Sequence, residues 1–205
     1  MKDSYDFVMS DLIENNSIEE LEFIFTKLKL KNIFVFKEIK KKEDLDKEFN
    51  LPVSKQINLK KAYLLNDPSL VHFYKKKELC IVKSESLKNN TLISTSKNNS
   101  FLYNPLSEKL CFDEQNARSC FKNNIKVVFN CDLLRNPILQ NKHLKQTLFI
   151  ITLLKIHQVD FIFASFAKEK ESLVSNVVLF NLLKSFNLEE SFILKILSKG
   201  VVENK

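Results

Sequence analysis

Short apolar runs alternate with helix-period stretches along the whole chain. Asp6 to Met9 reads as a strand. Ser17 with Glu20 three residues later has capping-box spacing, and Leu21, Ile24, Phe25 and Leu28 then mark one helical face. Asn32 is the expected turn residue closing that helix. A strand over Ile33 to Phe36 and a Lys-rich helix around Glu43 to Phe49 come next. Ala62 to Leu65 is a strand, and Asp67-Pro68 opens a helix through Leu70, Val71 and Tyr74. Leu79 to Val82 and Thr91 to Ser94 read as strands, with at most a short helix over Glu85 to Asn90. The Asn- and Ser-rich stretch Ser96 to Lys109 has the least ordered composition.

Further on, a helix over Phe112 to Phe121 leads to a strong strand, Ile125 to Cys131. Lys142 to His157 is a long helix with apolar residues on most faces, so it is expected to be heavily buried. Asp160 to Ala164 is a strand. Leu173 to Phe186 and Leu188 to Leu197 are closing helices split at Asn187. Strands such as VVFNC and FIFAS are apolar on both faces, as parallel strands covered on both sides are. Strand-helix alternation of this kind predicts right-handed βαβ units. A barrel and an open doubly wound sheet both fit this alternation; the number of units in one α/β domain over residues 1–205 favours a compact TIM-like barrel of about seven to eight parallel strands ringed by helices.

Composition narrows the chemistry. The 205 residues contain 1 Gly, at position 200. GxGxxG, GxxxxGK[ST] and GxSxG are therefore all absent, and with them the dinucleotide fold, the P-loop and the nucleophile elbow. No apolar run is long enough for a membrane span, and MKDSYDFVMSDL lacks the apolar core of a secretory signal. Cys80, Cys111, Cys120 and Cys131 form no CxxC pair and read as small buried hydrophobes in a reducing cytoplasm. Formal net charge is +7, with 32 Lys plus Arg against 25 acids. Only Arg118 and Arg135 are Arg, so phosphate contacts would be made by point charges more than by bidentate forks. The densest clusters are Lys37 to Lys42 and Lys75 to Lys77.

From residue 67 onward the order of motifs resembles a known family. DPSLVHFYKKKELCIVKSES (67–86) is followed by TLIST (91–95) and FDEQNARSCFKNNIKVVFNCDLLRNP (112–137). Then come the long helix, DFIFASFAKEKE (160–171), and a helix starting at Leu173. This order is similar to the protein component 3 family of archaeal and eukaryotic ribonuclease P, an α/β barrel related to metal-dependent phosphoesterases. The resemblance implies a subunit that props up ribonuclease P RNA while the RNA cuts the 5′ leader from precursor tRNA. It also implies Mg²⁺ held by that RNA, no cofactor bound by this chain, and a companion protein subunit. Phe166 stands where the family has Ser, and no Arg follows the strand end at Ser165.

Barrels carry function at strand C-terminal ends. The expected RNA contacts are Lys168 and Lys170 past the last strand, with Arg135 and Lys142 on the loop entering the long helix; helix N-termini nearby also favour phosphate. No catalytic residue and no metal ligand is assigned. The alternative is a small divergent metal-dependent hydrolase built on the strand-end acids Glu38, Glu85 and Asp132. His72, His143 and His157 all fall on helices, away from that rim.

Overall fold

A computed structural model describes residues 5–47, 49–74, 78–83, 86–95, 101–103, 111–131 and 140–198. Seven strands follow chain order in one sheet: β1 Tyr5–Met9, β2 Asn32–Ile39, β3 Asn58–Leu65, β4 Leu79–Lys83, β5 Phe101–Tyr103, β6 Lys126–Asn130 and β7 Phe161–Ala164. Every neighbouring pair is parallel. A parallel bridge between Val8 and Ala167 joins the two edges, so the sheet is a nearly closed barrel. Around it lie α1 Ser10–Glu14, α2 Ile18–Lys27, α3 Leu87–Thr95, α4 Glu114–Lys122, α5 Gln140–Ile156, α6 Asn176–Ser185 and α7 Glu190–Ser198.

Side-chain alternation along the strands sorts the core into an inside and an outside. Phe7, Phe36, Leu64, Ile81, Tyr103, Val128 and Ile162, one from each strand, belong to one buried cluster that fills the barrel interior. The alternate positions, among them Phe129, Phe161 and Phe163, pack outward beneath the helices. Val8, Ile33 and Val35 do the same under α1 and α2. Cys111, Cys120 and Cys131 are buried and Cys80 half-buried, all four as free thiols. Burial pushes the Cys80 and Cys120 thiols up to about 12, so they stay protonated and inert.

With one glycine in the chain, other residues take the left-handed positions that stop helices. Lys29, Asn124 and Gln158 have φ of 59°, 53° and 56° after α2, α4 and α5. The next N–H in each case reaches back five residues, as in Leu30 to Phe25, Ile125 to Cys120 and Val159 to Leu154, all at 2.8 Å. These Schellman closures satisfy the last carbonyls and drop the chain directly into β2, β6 and β7. The αL residue after α2 is thus Lys29, and Asn32 instead opens β2, its Oδ1 accepting from Asn58 Nδ2 at 3.0 Å. Asn187, φ 56°, separates α6 from α7 as expected.

Several local expectations are corrected. The Lys-rich stretch forms only a 3₁₀ turn, Lys42–Asp44, because Asp44 folds back to accept from the Lys40 and Lys41 N–H groups. The segment opened by Pro68 is a 3₁₀ helix, Pro68–Phe73, with Asp67 as its cap. Thr91 to Ser94 belongs to α3. The Thr91 and Thr95 hydroxyls donate to carbonyls four residues back, while Asn116 Nδ2 donates to Thr91 Oγ1 and ties α3 to α4. The fifth strand is Phe101–Tyr103, inside the stretch expected to be least ordered.

Candidate nucleic-acid interface and the barrel mouth

The edges of the barrel meet through a buried staple. Asp6 sits in β1 with its side chain on the outer face, buried against the turn that follows β7. Its Oδ1 accepts from the Phe7 and Ser165 N–H groups at 2.8 and 2.9 Å, and its Oδ2 from the Ser165 hydroxyl at 2.6 Å. Burial raises this carboxyl from its ordinary 3.8 to about 6, against the three hydrogen bonds, which pull it down. Phe166 N then donates to Phe7 O at 2.7 Å and Met9 N to Ala167 O at 2.9 Å. Sequence reasoning misses this staple, although a lone acid within the run YDFVM is the signal that marks it.

This stitching forces Phe166 to a φ of 48°, an uncommon conformation for a bulky side chain. Its ring is thereby turned into the C-terminal mouth. Phe166 lies 4.5 Å from Tyr103, 5.4 Å from Phe36 and 5.6 Å from Phe7, centroid to centroid. Edge-to-face and tilted packing of this kind adds to the area buried. The mouth, where barrel enzymes gather ligands and acids, is therefore closed beneath by an aromatic plug. Polar groups above it bond one another: Asn66 Nδ2 donates to Glu38 Oε1 at 2.8 Å, and Asn130 Nδ2 to the Tyr103 hydroxyl at 2.9 Å.

Of the expected contact residues, Lys168 and Lys170 have described side chains. Lys168 and Lys170 follow β7, but the turn leans towards β1 rather than β6. Lys168 Nζ stands 3.9 Å from Asp11, and Lys170 Nζ donates to Glu20 Oε1 at 2.6 Å. Glu20 follows the Ser17 cap, whose hydroxyl accepts from the Glu20 N–H. That carboxylate holds the Lys170 ammonium above the usual lysine range. Lys142 lies in the first turn of α5, its side chain outside the described part. Arg135 lies outside the described residues, as do Glu85, Asp132 and Lys75 to Lys77. β6 and β7 are adjacent and parallel, so the chain leaves both at neighbouring strand ends.

Of the acids considered for hydrolysis, only Glu38 is described, and it is engaged by Asn66 with Lys40 Nζ 3.8 Å away. Among the described residues, no three His, Cys, Asp or Glu side chains are grouped to share a cation. His72 is exposed, His143 is buried in α5, and His157 lies 3.5 Å from Glu114. Among the described residues no helix is long and apolar enough to cross a membrane.

No protein-family model matches the sequence, and no curated protein matches it. Solved structures do superpose on the chain. A chain in the cryo-electron microscopy structure of archaeal ribonuclease P with mature tRNA superposes with a TM-score of 0.76 at 16% identity, covering 94% of this chain and 86% of that one. An uncharacterized protein superposes with a TM-score of 0.59 at 8% identity, over 96% of this chain and 72% of that one. A putative histidinol phosphatase from Listeria monocytogenes reaches a TM-score of 0.49 at 8% identity, over 83% of this chain and 96% of that one. The seven-stranded barrel is thus a fold found in an archaeal ribonuclease P assembly.

Proposed function

We propose that this chain is a protein subunit of ribonuclease P, supporting the catalytic RNA in 5′ maturation of precursor tRNA in the cytoplasm. The observation that carries the reading is the superposition, over 94% of the chain, on a chain of archaeal ribonuclease P solved with mature tRNA. The +7 net charge fits a polyanion partner. The plugged mouth fits a scaffold better than an enzyme, since the rings of Phe7, Phe36, Tyr103 and Phe166 occupy the space a substrate would need. In this reading Mg²⁺ is held by the RNA, precursor tRNA is met through the RNA, and a further protein subunit docks on the chain.

Highly pure protein is accordingly expected to hydrolyse neither phosphate esters nor RNA with Mg²⁺ or Zn²⁺. Metal-dependent turnover abolished by Asp132→Ala would replace this reading with the hydrolase one.

Lys168, Lys170, Arg135 and Lys142 are the proposed phosphate contacts at the C-terminal rim. Surface ion pairs are weak and screened by salt, so Lys168 and Lys170 can exchange Asp11 and Glu20 for phosphates. Replacing all four by Gln should lower RNA affinity in the reconstituted holoenzyme. It should also flatten the salt dependence, by about 0.7–0.9 in log K per log salt for each phosphate left unneutralised. Unchanged affinity and slope would exclude the rim.

A further inference from the structure

The opposite end of the barrel carries a second basic surface. Strands β2, β3, β6 and β7 are parallel, so the turns that feed them lie at one end. That end holds Lys27 at the close of α2, Lys60 near the start of β3, Lys122 and Lys126 on either side of the α4–β6 connection, and Lys155 at the close of α5. All but the half-buried Lys126 are exposed.

Several other lysines of the barrel face acids. Lys40 faces Glu38, Lys47 faces Asp44, Lys168 faces Asp11 and Lys170 faces Glu20. Among the described residues, none of the five at the N-terminal end has a carboxylate within ion-pair distance. Three rest on aromatic faces instead: Lys27 Nζ at 4.1 Å from the Phe23 centroid, Lys155 at 4.2 Å from Phe192 and Lys60 at 5.4 Å from Phe34. A ring face leaves the ammonium its full charge and its outward N–H donors.

Nearby acids are engaged elsewhere. Glu22 accepts from the Ser54 hydroxyl and the Lys55 N–H at 2.6 and 2.9 Å, and Glu114 holds Arg118 at 2.7 Å and His157 at 3.5 Å. Glu78 and Asp160 are the remaining described acids at these turns. Glu22 keeps its charge on those neutral donors and Arg118 matches Glu114, so the five lysines stand against Glu22, Glu78 and Asp160 at these turns, and the excess positive charge spans from the α2 side of the barrel to the α5 side.

We infer that the N-terminal end of the barrel, centred on Lys60, Lys122, Lys126 and Lys155, binds an RNA phosphate backbone, separately from the C-terminal rim. This rests on the reading of the chain as an RNA-associated subunit and gives it a second contact. Two opposed basic ends would let one small barrel bridge two RNA segments. Compact ammonium groups without Arg forks suit backbone contact rather than base reading.

The test uses the full chain and a synthetic duplex RNA of about 30 base pairs, nearly twice the roughly 16 that a double-stranded-RNA domain spans, titrated across salt. The variant K60Q/K122Q/K126Q/K155Q is compared with K40Q/K47Q/K88Q/K145Q, which removes the same charge away from that end. The first variant should weaken binding at least tenfold at about 0.1 M salt and flatten the salt slope by about 0.7–0.9 for each phosphate left unneutralised; the control should change neither by much. Equal losses in both, or no loss in the first, would overturn the inference. Circular dichroism checks folding, and the double variant K122Q/K155Q, at exposed positions, serves if the quadruple one unfolds. Recovery of ribonuclease P RNA with the tagged wild-type chain tests the underlying reading separately. Recovery without an effect of the lysines sinks only this surface, while a lysine effect without recovery sinks only the subunit assignment.

Discussion

Phe129→Asp and Phe161→Asp should each leave the chain unfolded under conditions where the wild type is folded. Both rings lie on the outer side of the barrel wall, Phe129 fully buried and Phe161 5% exposed. Their centroids are 6.0 Å apart, edge to face, and Phe161 also meets Phe163 and Phe192. Truncating such a ring costs about 3–5 kcal/mol. A carboxylate left there without a partner adds several kcal/mol more, or takes up a proton at a similar cost. The sum rivals the whole stability of a typical domain, about 5–15 kcal/mol. Phe161→Leu keeps most of the burial and should stay folded with reduced stability. Urea unfolding followed by circular dichroism reads all three. A cooperative transition near the wild-type midpoint for Phe161→Asp would contradict the assignment of β7 to the core.

The second expected effect concerns Asp6. Its carboxyl is raised to about 6 in the folded chain against 3.8 ordinarily, so the folded state holds the proton more tightly than the unfolded one. The stability this group contributes is full below about pH 4 and is lost as pH rises through about 6. A gap of that size corresponds to about 3 kcal/mol. Wild-type stability should therefore carry a component that falls between about pH 4 and 6, and Asp6→Asn should remove it. The amide of that variant could still accept from the Phe7 and Ser165 N–H groups and donate to the Ser165 hydroxyl. That hydroxyl already lies 3.2 Å from Phe7 O and can donate there. Asp6→Asn should thus match or exceed the wild type in stability above about pH 7, where the wild-type carboxyl is ionised. Asp6→Ala leaves two buried N–H groups unpaired, at about 1–3 kcal/mol each, and should loosen the seam at every pH. Denaturant unfolding repeated across pH reads all of these. An Asn variant with the wild-type pH slope would show that the staple does not titrate as described.

The strands legible in the sequence are those whose apolar runs are long enough to exclude other readings. Ile33 to Phe36, Ile125 to Cys131 and Asp160 to Ala164 fall within or across β2, β6 and β7, because a parallel strand is covered on both faces and shows it in composition. β5 is hidden because it is three residues long amid Asn and Ser, and its identity comes from pairing with β4 and β6. Thr91 to Ser94 resembles a strand through its β-branched residues, yet Asn90, Ile93 and Ser94 are buried at helical spacing in α3. The place of Lys168 and Lys170 just past the last strand is legible, but the turn of the β7 loop towards β1 is not. That turn depends on Asp6 and Ser165 meeting across 159 residues of sequence. The basic N-terminal end is scattered through αβ turns, and only barrel closure gathers it.

Membership of a ribonuclease P particle is tested most directly by the RNA that travels with the chain. Tagged protein isolated from its own cells, without crosslinking and at moderate salt, should bring down one structured RNA enriched far above ribosomal RNA. Sequencing should show the core of a ribonuclease P RNA, and the eluate should cut the 5′ leader from precursor tRNA with Mg²⁺. Purified chain that carries no such RNA, with precursor tRNA cleavage recovered undiminished from cells lacking the protein, would contradict the assignment.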